Sequence, residues 1–219
     1  MKRELRVTED GSHTLYLPEM DEPYHSIHGA IQESRHVFLA HGLFTLDKSS
    51  LNILEIGFGT GLNALLTLAE GQRRGLKINY HTVEKYPLEY EEFSQINFED
   101  FIEGVHTGSL MKLHEAPWEE KVPITENFTI TKEKSDFRTM KVSGPLDLVY
   151  FDAFAPQKQP HLWNEEIFRT ISEAVAPGGV LVTYTCKGSV RRALASCGFK
   201  VTKVSGPPGK REMIRAEKI

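Results

Sequence analysis

Cysteine is scarce in this chain. Cys186 and Cys197 are the only two among 219 residues, they form no C-x-x-C pair, and no further ligands complete a zinc set. Two buried, reduced thiols and no metal site are therefore expected. Long hydrophobic runs are missing as well: no stretch approaches the roughly 20 apolar residues that a membrane helix needs. The polar start Met1-Lys2-Arg3-Glu4 lacks the core of a signal peptide. The expectation is a cytoplasmic protein with no membrane partner. There is no internal repeat, low-complexity tract or Pro/Gly/Ser linker, which excludes a solenoid and two tethered domains. A large charge excess is absent too, since the formal net charge of -4 excludes a protein that coats nucleic acid through bulk electrostatics.

What is present suits one large folded domain, with 40% hydrophobic and 26% charged residues, enough apolar surface to offset chain entropy. The charge is unevenly placed. From Cys186 to Ile219 there are nine Lys or Arg and two acids, an excess of seven, whereas the remainder carries 17 basic against 28 acidic residues. A solvated face and a docking edge for an RNA phosphate backbone both fit that bias.

The chain reads as alternating strands and helices. The segment to about Pro23 is polar and interrupted, and Ser34 to Leu46 has helical spacing in Val37, Phe38, Leu39, Leu43 and Phe44. Leu51 to Ile56 is a buried strand ended by Gly57, and Thr60 to Ala69 a helix. Lys77 to Val83 is a strand, and Pro87 opens a helix. Phe98 to Pro123 keeps no period. Phe128 to Thr131 alternates as a strand, and L-D-L-V-Y-F (146 to 151) is a central buried strand. Glu165 to Val175 is an amphipathic helix stopped by Ala176-Pro177-Gly178-Gly179, followed by a strand, Val180 to Tyr184, and a helix, Val190 to Cys197. Phe199 to Val204 and Glu212 to Ala216 form a terminal hairpin. The expected fold class is α/β, Rossmann-like: residues 51–219 form a mostly parallel sheet with an antiparallel C-terminal hairpin, and residues 1–50 are an N-terminal extension packed on it.

The strongest local signal is L-E-I-G-F-G-T-G-L-N (54 to 63), between a strand and a helix. Glycines there let the backbone turn tightly beside a ligand, and the helix start offers free N–H groups. The spacing is G-x-G-x-G, because position 62 is Leu, which disfavours the G-x-G-x-x-G dinucleotide fingerprint. Glu55 precedes the first glycine by two residues, as is common in S-adenosylmethionine-binding folds. Glu84 closes the second strand roughly twenty residues on, where a carboxylate accepts from ribose hydroxyls, a feature that NAD and S-adenosylmethionine share. Asp136 follows the next strand, at an edge suited to an adenine amino group or to a plain turn. Asp152 ends the most apolar strand, on the side of the sheet where open α/β folds bind ligands. Phe154 and Pro156 build an apolar, rigid loop after it, in which Phe154 has two readings, stacking on a flat substrate ring or packing in the core.

Six stretches carry a family resemblance: I-G-F-G-T-G-L-N (56 to 63), V-E-K-Y-P-L (83 to 88), D-A-F-A-P-Q-K-Q-P-H-L-W (152 to 163), A-P-G-G-V-L-V-T-Y-T (176 to 185), V-R-R-A-L (190 to 194) and G-K-R-E-M (209 to 213). With the early Tyr24-His25-Ser26, Glu33 and Val37-Phe38-Leu39, they resemble the methyltransferase domain of the MnmC family, tRNA 5-methylaminomethyl-2-thiouridine biosynthesis proteins. Ala153 stands where that family usually has glycine, Ser135 replaces a glycine before Asp136, and Phe101 to Lys121 has no match.

The resemblance implies methyl transfer from S-adenosylmethionine to the 5-aminomethyl nitrogen of a wobble uridine in tRNA. Asp152 would be the catalytic residue. The cofactor would lie against Glu33, Glu55, Gly57, Phe58, Gly59, Thr60, Gly61, Asn63, Glu84, Lys85, Asp136, Asp152 and Phe154. The substrate would meet Phe154 and Trp163, with Lys158, Lys187, Arg191, Lys210 and Arg211 as phosphate contacts. Known members are fused to a flavin-dependent oxidoreductase that makes the amine. This chain resembles a stand-alone form, so a separate enzyme would supply its precursor. Three rivals stay open at this point: a methyltransferase of small molecules or proteins, an NAD-dependent oxidoreductase, and a non-catalytic S-adenosylmethionine-binding protein.

Overall fold

The structure is a computed structural model that describes residues 2–219. The chain opens with an antiparallel sheet of β1 (Glu4–Val7), β2 (His13–Leu17) and β3 (Glu22–Pro23), where the sequence reads as merely polar and interrupted. Its polar residues are what order it. Asp10 Oδ1 accepts from Thr8 Oγ1, Ser12 Oγ and the Ser12 amide to close the first turn, while Leu15 and Leu17 are buried. The helix expected over Ser34 to Leu46 begins earlier, as α1 (Ala30–Ser34), and widens into a π-helical stretch over Arg35–Ala40. It stops before Gly42, where a Cβ would stand 2.4 Å from the Phe38 carbonyl oxygen.

β4 (Ser50–Ile56), α2 (Leu62–Arg74) and β5 (Lys77–Val83) follow close to expectation. Pro87 does not open the next helix: a reciprocal capping box between Glu89 and Glu92 starts α3 (Tyr90–Phe93) instead. The aperiodic stretch after it holds α4 (Ser109–Glu115), which buries Leu110 and Leu113, and an unforeseen edge strand, β6 (Lys121–Thr125), antiparallel to β7 (Phe128–Glu133). β8 (Leu146–Phe151) and α5 (Glu165–Ala174) come next. The Ala176-Pro177-Gly178-Gly179 motif is no helix stop but lies inside β9 (Val175–Thr183), spanning a register shift opposite Leu146 and Leu148. α6 (Gly188–Ser196) precedes the hairpin of β10 (Phe199–Ser205) and β11 (Glu212–Lys218).

The main sheet has the order β10-β11-β9-β8-β4-β5-β7-β6. Its five inner strands β9, β8, β4, β5 and β7 are parallel, and the antiparallel pairs lie at its two ends. Strand alternation divides the core. Ile53, Leu148 and Tyr150 pack with Phe38, Leu65 and Leu113 on one face, and Leu54, Val149 and Phe151 with Phe168, Ile171 and Leu194 on the other. The path moves from β4 outward through β5, then returns to β8 on the far side of β4. That reversal leaves a crevice beyond the carboxyl ends of β4 and β8.

Cys197 is buried but Cys186 is exposed, so the expectation of two buried thiols holds for one, Cys186 lying in the loop after β9. Among the described residues no helix is long and apolar enough to cross a membrane, and no group of three or more His, Cys, Asp or Glu is arranged to hold a metal ion.

Candidate functional site

The crevice is a cavity of about 450 Å³, within the size range of small-molecule sites. Its floor is the loop from β4 to α2. Gly57 and Gly59 have φ of 93° and 49°, and a Cβ on Gly57 would stand 2.8 Å from the Asp152 carbonyl oxygen. Only glycine serves both that conformation and that approach. At Gly59 a Cβ would meet the Tyr24 ring at 3.0 Å, so the N-terminal sheet lies directly over the loop.

Thr60 is held from two sides, its hydroxyl 2.6 Å from His25 Nε2 and its carbonyl 3.0 Å from His114 Nε2. Burial pushes both imidazoles down to about 4, so each is neutral near pH 7. Glu84, at the end of β5, accepts from the Gly59 amide at 3.1 Å and the Tyr86 amide at 2.8 Å, tying its strand to the glycine loop. Asp136 sits in the same part of the cavity, its carboxylate occupied by Arg138 and Lys85. Those cations, Arg138 first, hold it well below the usual carboxylate range.

Across the cavity Asp152 leaves the end of β8. Asn63 Nδ2 donates to its Oδ2 at 2.8 Å, and no hydrogen bond holds Oδ1. The residue is half-buried at the cavity wall, and desolvation first, then the Glu33 carboxylate, pushes its pKa up to about 7 against the opposing pull of Asn63 and Lys210. Glu33 comes from α1. It accepts from Lys210 Nζ at 2.6 Å and from the Ser26 amide at 2.8 Å. Lys210 also lies 4.2 Å from the centre of the Tyr184 ring, whose hydroxyl donates to the Ala153 carbonyl at 2.8 Å. Phe154 packs edge-on against Tyr24 at 5.1 Å.

Of the sequence-derived candidates, Glu33, Gly57, Phe58, Gly59, Thr60, Asn63, Glu84, Lys85, Asp136, Asp152, Phe154 and Lys210 line this one cavity. The others do not. Glu55 is fully buried beneath it, held well above the carboxylate range by burial, and Gly61 turns away into α2 as its left-handed cap. Trp163 is buried and donates from Nε1 to the Phe154 carbonyl at 2.9 Å, bracing the loop behind the site. Lys158 donates to the Met20 carbonyl at 2.6 Å and so pins the same loop to the N-terminal sheet. Lys187 precedes α6, Arg191 lies on that helix in a separate shallow groove, and Arg211 is exposed on the β10–β11 connection. Glu22 and Tyr184 line the cavity without having been singled out. Tyr184 had a signal in its place just past β9. Glu22 had none, because its two-residue strand has no period to read.

Residues 115–219 match the family model described as S-adenosyl-L-methionine-dependent methyltransferase. The chain is 33% identical, over 91% of its length, to the tRNA 5-methylaminomethyl-2-thiouridine biosynthesis bifunctional protein MnmC of Ralstonia nicotianae, and 28% identical over 90% to that of Leptospira interrogans. It spans about a third of the length of these relatives, 32% in both cases. Among solved structures it is similar to MnmC2 from Aquifex aeolicus, with a TM-score of 0.78, 27% identity, and coverage of 98% of this chain and 70% of that one. Spermidine synthase from Thermotoga maritima shares the fold, at a TM-score of 0.58 and 13% identity, with 100% of this chain and 72% of that one covered.

Proposed function

We propose, from the premise that this chain is an S-adenosylmethionine-dependent methyltransferase homologous to the methyltransferase portion of the MnmC proteins, that it methylates the aminomethyl nitrogen of 5-aminomethyluridine or its 2-thio form at the tRNA wobble position. The observation that carries the reading is Asp152, a half-buried carboxylate with one oxygen held by Asn63 and the other free, at the carboxyl end of β8.

The residues present fit S-adenosylmethionine. The glycine loop floors the cavity with backbone in place of side chains, Glu84 stands where ribose hydroxyls can donate to it, and Ile56, Val83, Phe137 and Leu162 offer apolar walls for an adenine. When bound, the cofactor supplies an electrophilic methyl group on a sulfonium. Lys85 and Asp136 hold the corner on the adenine side, and the carboxylates of Asp152 and Glu33 face the half where positive charge collects.

An alkyl ammonium has no lone pair for attack, so it must first lose a proton. An ordinary carboxylate is a poor base towards an amine, but Asp152, at about 7, is much better matched to the task. Asp152 takes one N–H proton on Oδ1 while Asn63 keeps Oδ2 in place, which leaves the nitrogen lone pair free. After transfer the secondary ammonium faces the Glu33 carboxylate, and the proton on Asp152 must pass to solvent before the next turnover. Phe154 and Tyr24 form an edge suited to a flat base.

Lys210 reaches the cavity. Lys158, Lys187, Arg191 and Arg211 are the further phosphate contacts we propose around it. Methyl transfer does not create an amine, so a separate activity supplies the aminomethyl precursor, and a tRNA substrate places the protein in the cytoplasm. Mass spectrometry of tRNA nucleosides from cells with and without the protein tests the reading: loss of 5-methylaminomethyluridine with build-up of the primary amine is expected. An unchanged nucleoside profile, together with tRNA binding that does not weaken with salt, would sink it.

A further inference from the structure

Behind Asp152 lies a buried polar chain, of which the chemistry above uses only the first link, Asn63. Asn63, in the first turn of α2, is 3% exposed and donates through Nδ2 to Asp152 at 2.8 Å. Its other amide atom, Oδ1, therefore faces away from Asp152, and it is buried with no hydrogen-bond partner. Glu55, on β4, is 0% exposed. Its Oε2 accepts from Thr82 Oγ1 at 2.8 Å, and its Oε1 is likewise buried without a partner. Glu55 lies against both Asn63 and Tyr80, whose hydroxyl is a third buried atom lacking a partner.

An ionised Glu55 offers only acceptors. It would draw the Asn63 amide round to present Nδ2, which would turn Oδ1 towards the Asp152 carboxylate, acceptor against acceptor. The observed orientation is the opposite one. It becomes self-consistent when a single proton sits on Glu55 Oε1 and is donated to Asn63 Oδ1. We infer that Glu55 is a neutral positioning acid, whose proton fixes the Asn63 amide so that Asn63 in turn holds Asp152. The role rests on the reading of Asp152 as the base for the amine, and it explains why Glu55 sits beneath the cavity rather than in it.

Carboxyl ¹³C NMR titration of the full chain, combined with single-turnover methyl transfer to tRNA bearing 5-aminomethyluridine, tests this. Glu55 should keep its proton from about pH 5 to 8. Glu55→Leu and Asn63→Leu should each move the Asp152 midpoint upward and slow transfer by about tenfold or more, with cofactor Kd within about threefold. Glu55→Gln supplies both an acceptor for Thr82 and a donor for Asn63, so it should rescue the midpoint and bring the rate to within about threefold of wild type. A Glu55 carboxyl ionised at pH 6, or a Glu55→Gln midpoint for Asp152 that falls by about one unit, would overturn the inference, the latter because it would reveal a negative charge in the parent. If Glu55→Leu does not fold, Glu55→Gln and the NMR titration still decide. If the wild type transfers no methyl group to this tRNA, the proposed function fails while the NMR result stands or falls separately.

Discussion

A carboxylate can act on an ammonium only where its surroundings have spoiled it as an ordinary acid, and Asp152 is in such a place. Asp152→Asn keeps the shape and one hydrogen bond but removes the base. Single-turnover transfer should fall by roughly 10² or more, with little change in cofactor affinity by calorimetry. In the parent protein the rate should rise as pH passes through about 7, and this limb should vanish in the variant. Glu84→Ala is the contrasting case. Removing its carboxylate should weaken cofactor binding on the order of 1.5–3 kcal/mol, the worth of a charge-assisted acceptor. Part of that loss should come through the glycine loop, whose Gly59 amide loses its acceptor. Calorimetry with unchanged affinity would take Glu84 out of the site.

At the scale of elements, the loop between β4 and α2 is rigid because it is gripped on all sides, by Glu84 below, His25 and His114 at Thr60, and Tyr24 above. Gly59→Val should abolish cofactor binding. The structural cause is a β-branched side chain forced into a positive φ and against the Tyr24 ring, so Gly59→Ala should also weaken binding, though less. Normal binding by the valine variant in a thermal-shift titration would contradict this.

Elements with a strong period were legible from the sequence alone. β4, β5, β8 and the C-terminal hairpin are alternating or wholly apolar runs, and the residues at their carboxyl ends, Gly57, Glu84 and Asp152, do converge on one cavity. What stayed hidden was held by side-chain hydrogen bonds or by non-local packing. The Asp10 turn orders the N-terminal sheet, α4 is too short to show a period, and β9 absorbs its glycines through a register shift that only its partner strand reveals. The placement of Glu55 under the floor could not be read from its spacing to Gly57, which is the same whether the side chain points up or down.

For the whole molecule, four groups that the fold shifts from their ordinary pKa pull stability in opposite directions with pH. His25 and His114, ordinarily near 6.5, are lowered to about 4 in the fold, so the unfolded chain binds more protons between those values and stability is lost as pH falls through them. Asp152, raised from 3.8 to about 7, and Glu55, raised well above 4.5, act the other way: the folded chain binds more protons, and stability grows as pH falls through their raised values. Two against two, these groups oppose one another between about pH 5 and 6. Asp152→Asn removes one member and should tilt the balance, making the variant less stable as pH drops over that range yet more stable than the parent above about pH 7. Urea denaturation at several pH values checks both halves, and parallel curves for the two proteins would refute them.

The bridge from Glu33 to Lys210 spans 177 positions in the chain, so this wall of the cavity joins two segments far apart in sequence, while the glycine loop, Glu84 and Asp152 lie between them. A chain emerging from the ribosome can therefore bring the glycine loop, Glu84 and Asp152 together before the Glu33–Lys210 bridge forms, because the longest loop closes last. In a nascent chain Glu33 has no Lys210 to pair with until position 210 has been made, so the part of the cavity built on that bridge forms after the glycine loop, Glu84 and Asp152 are in place.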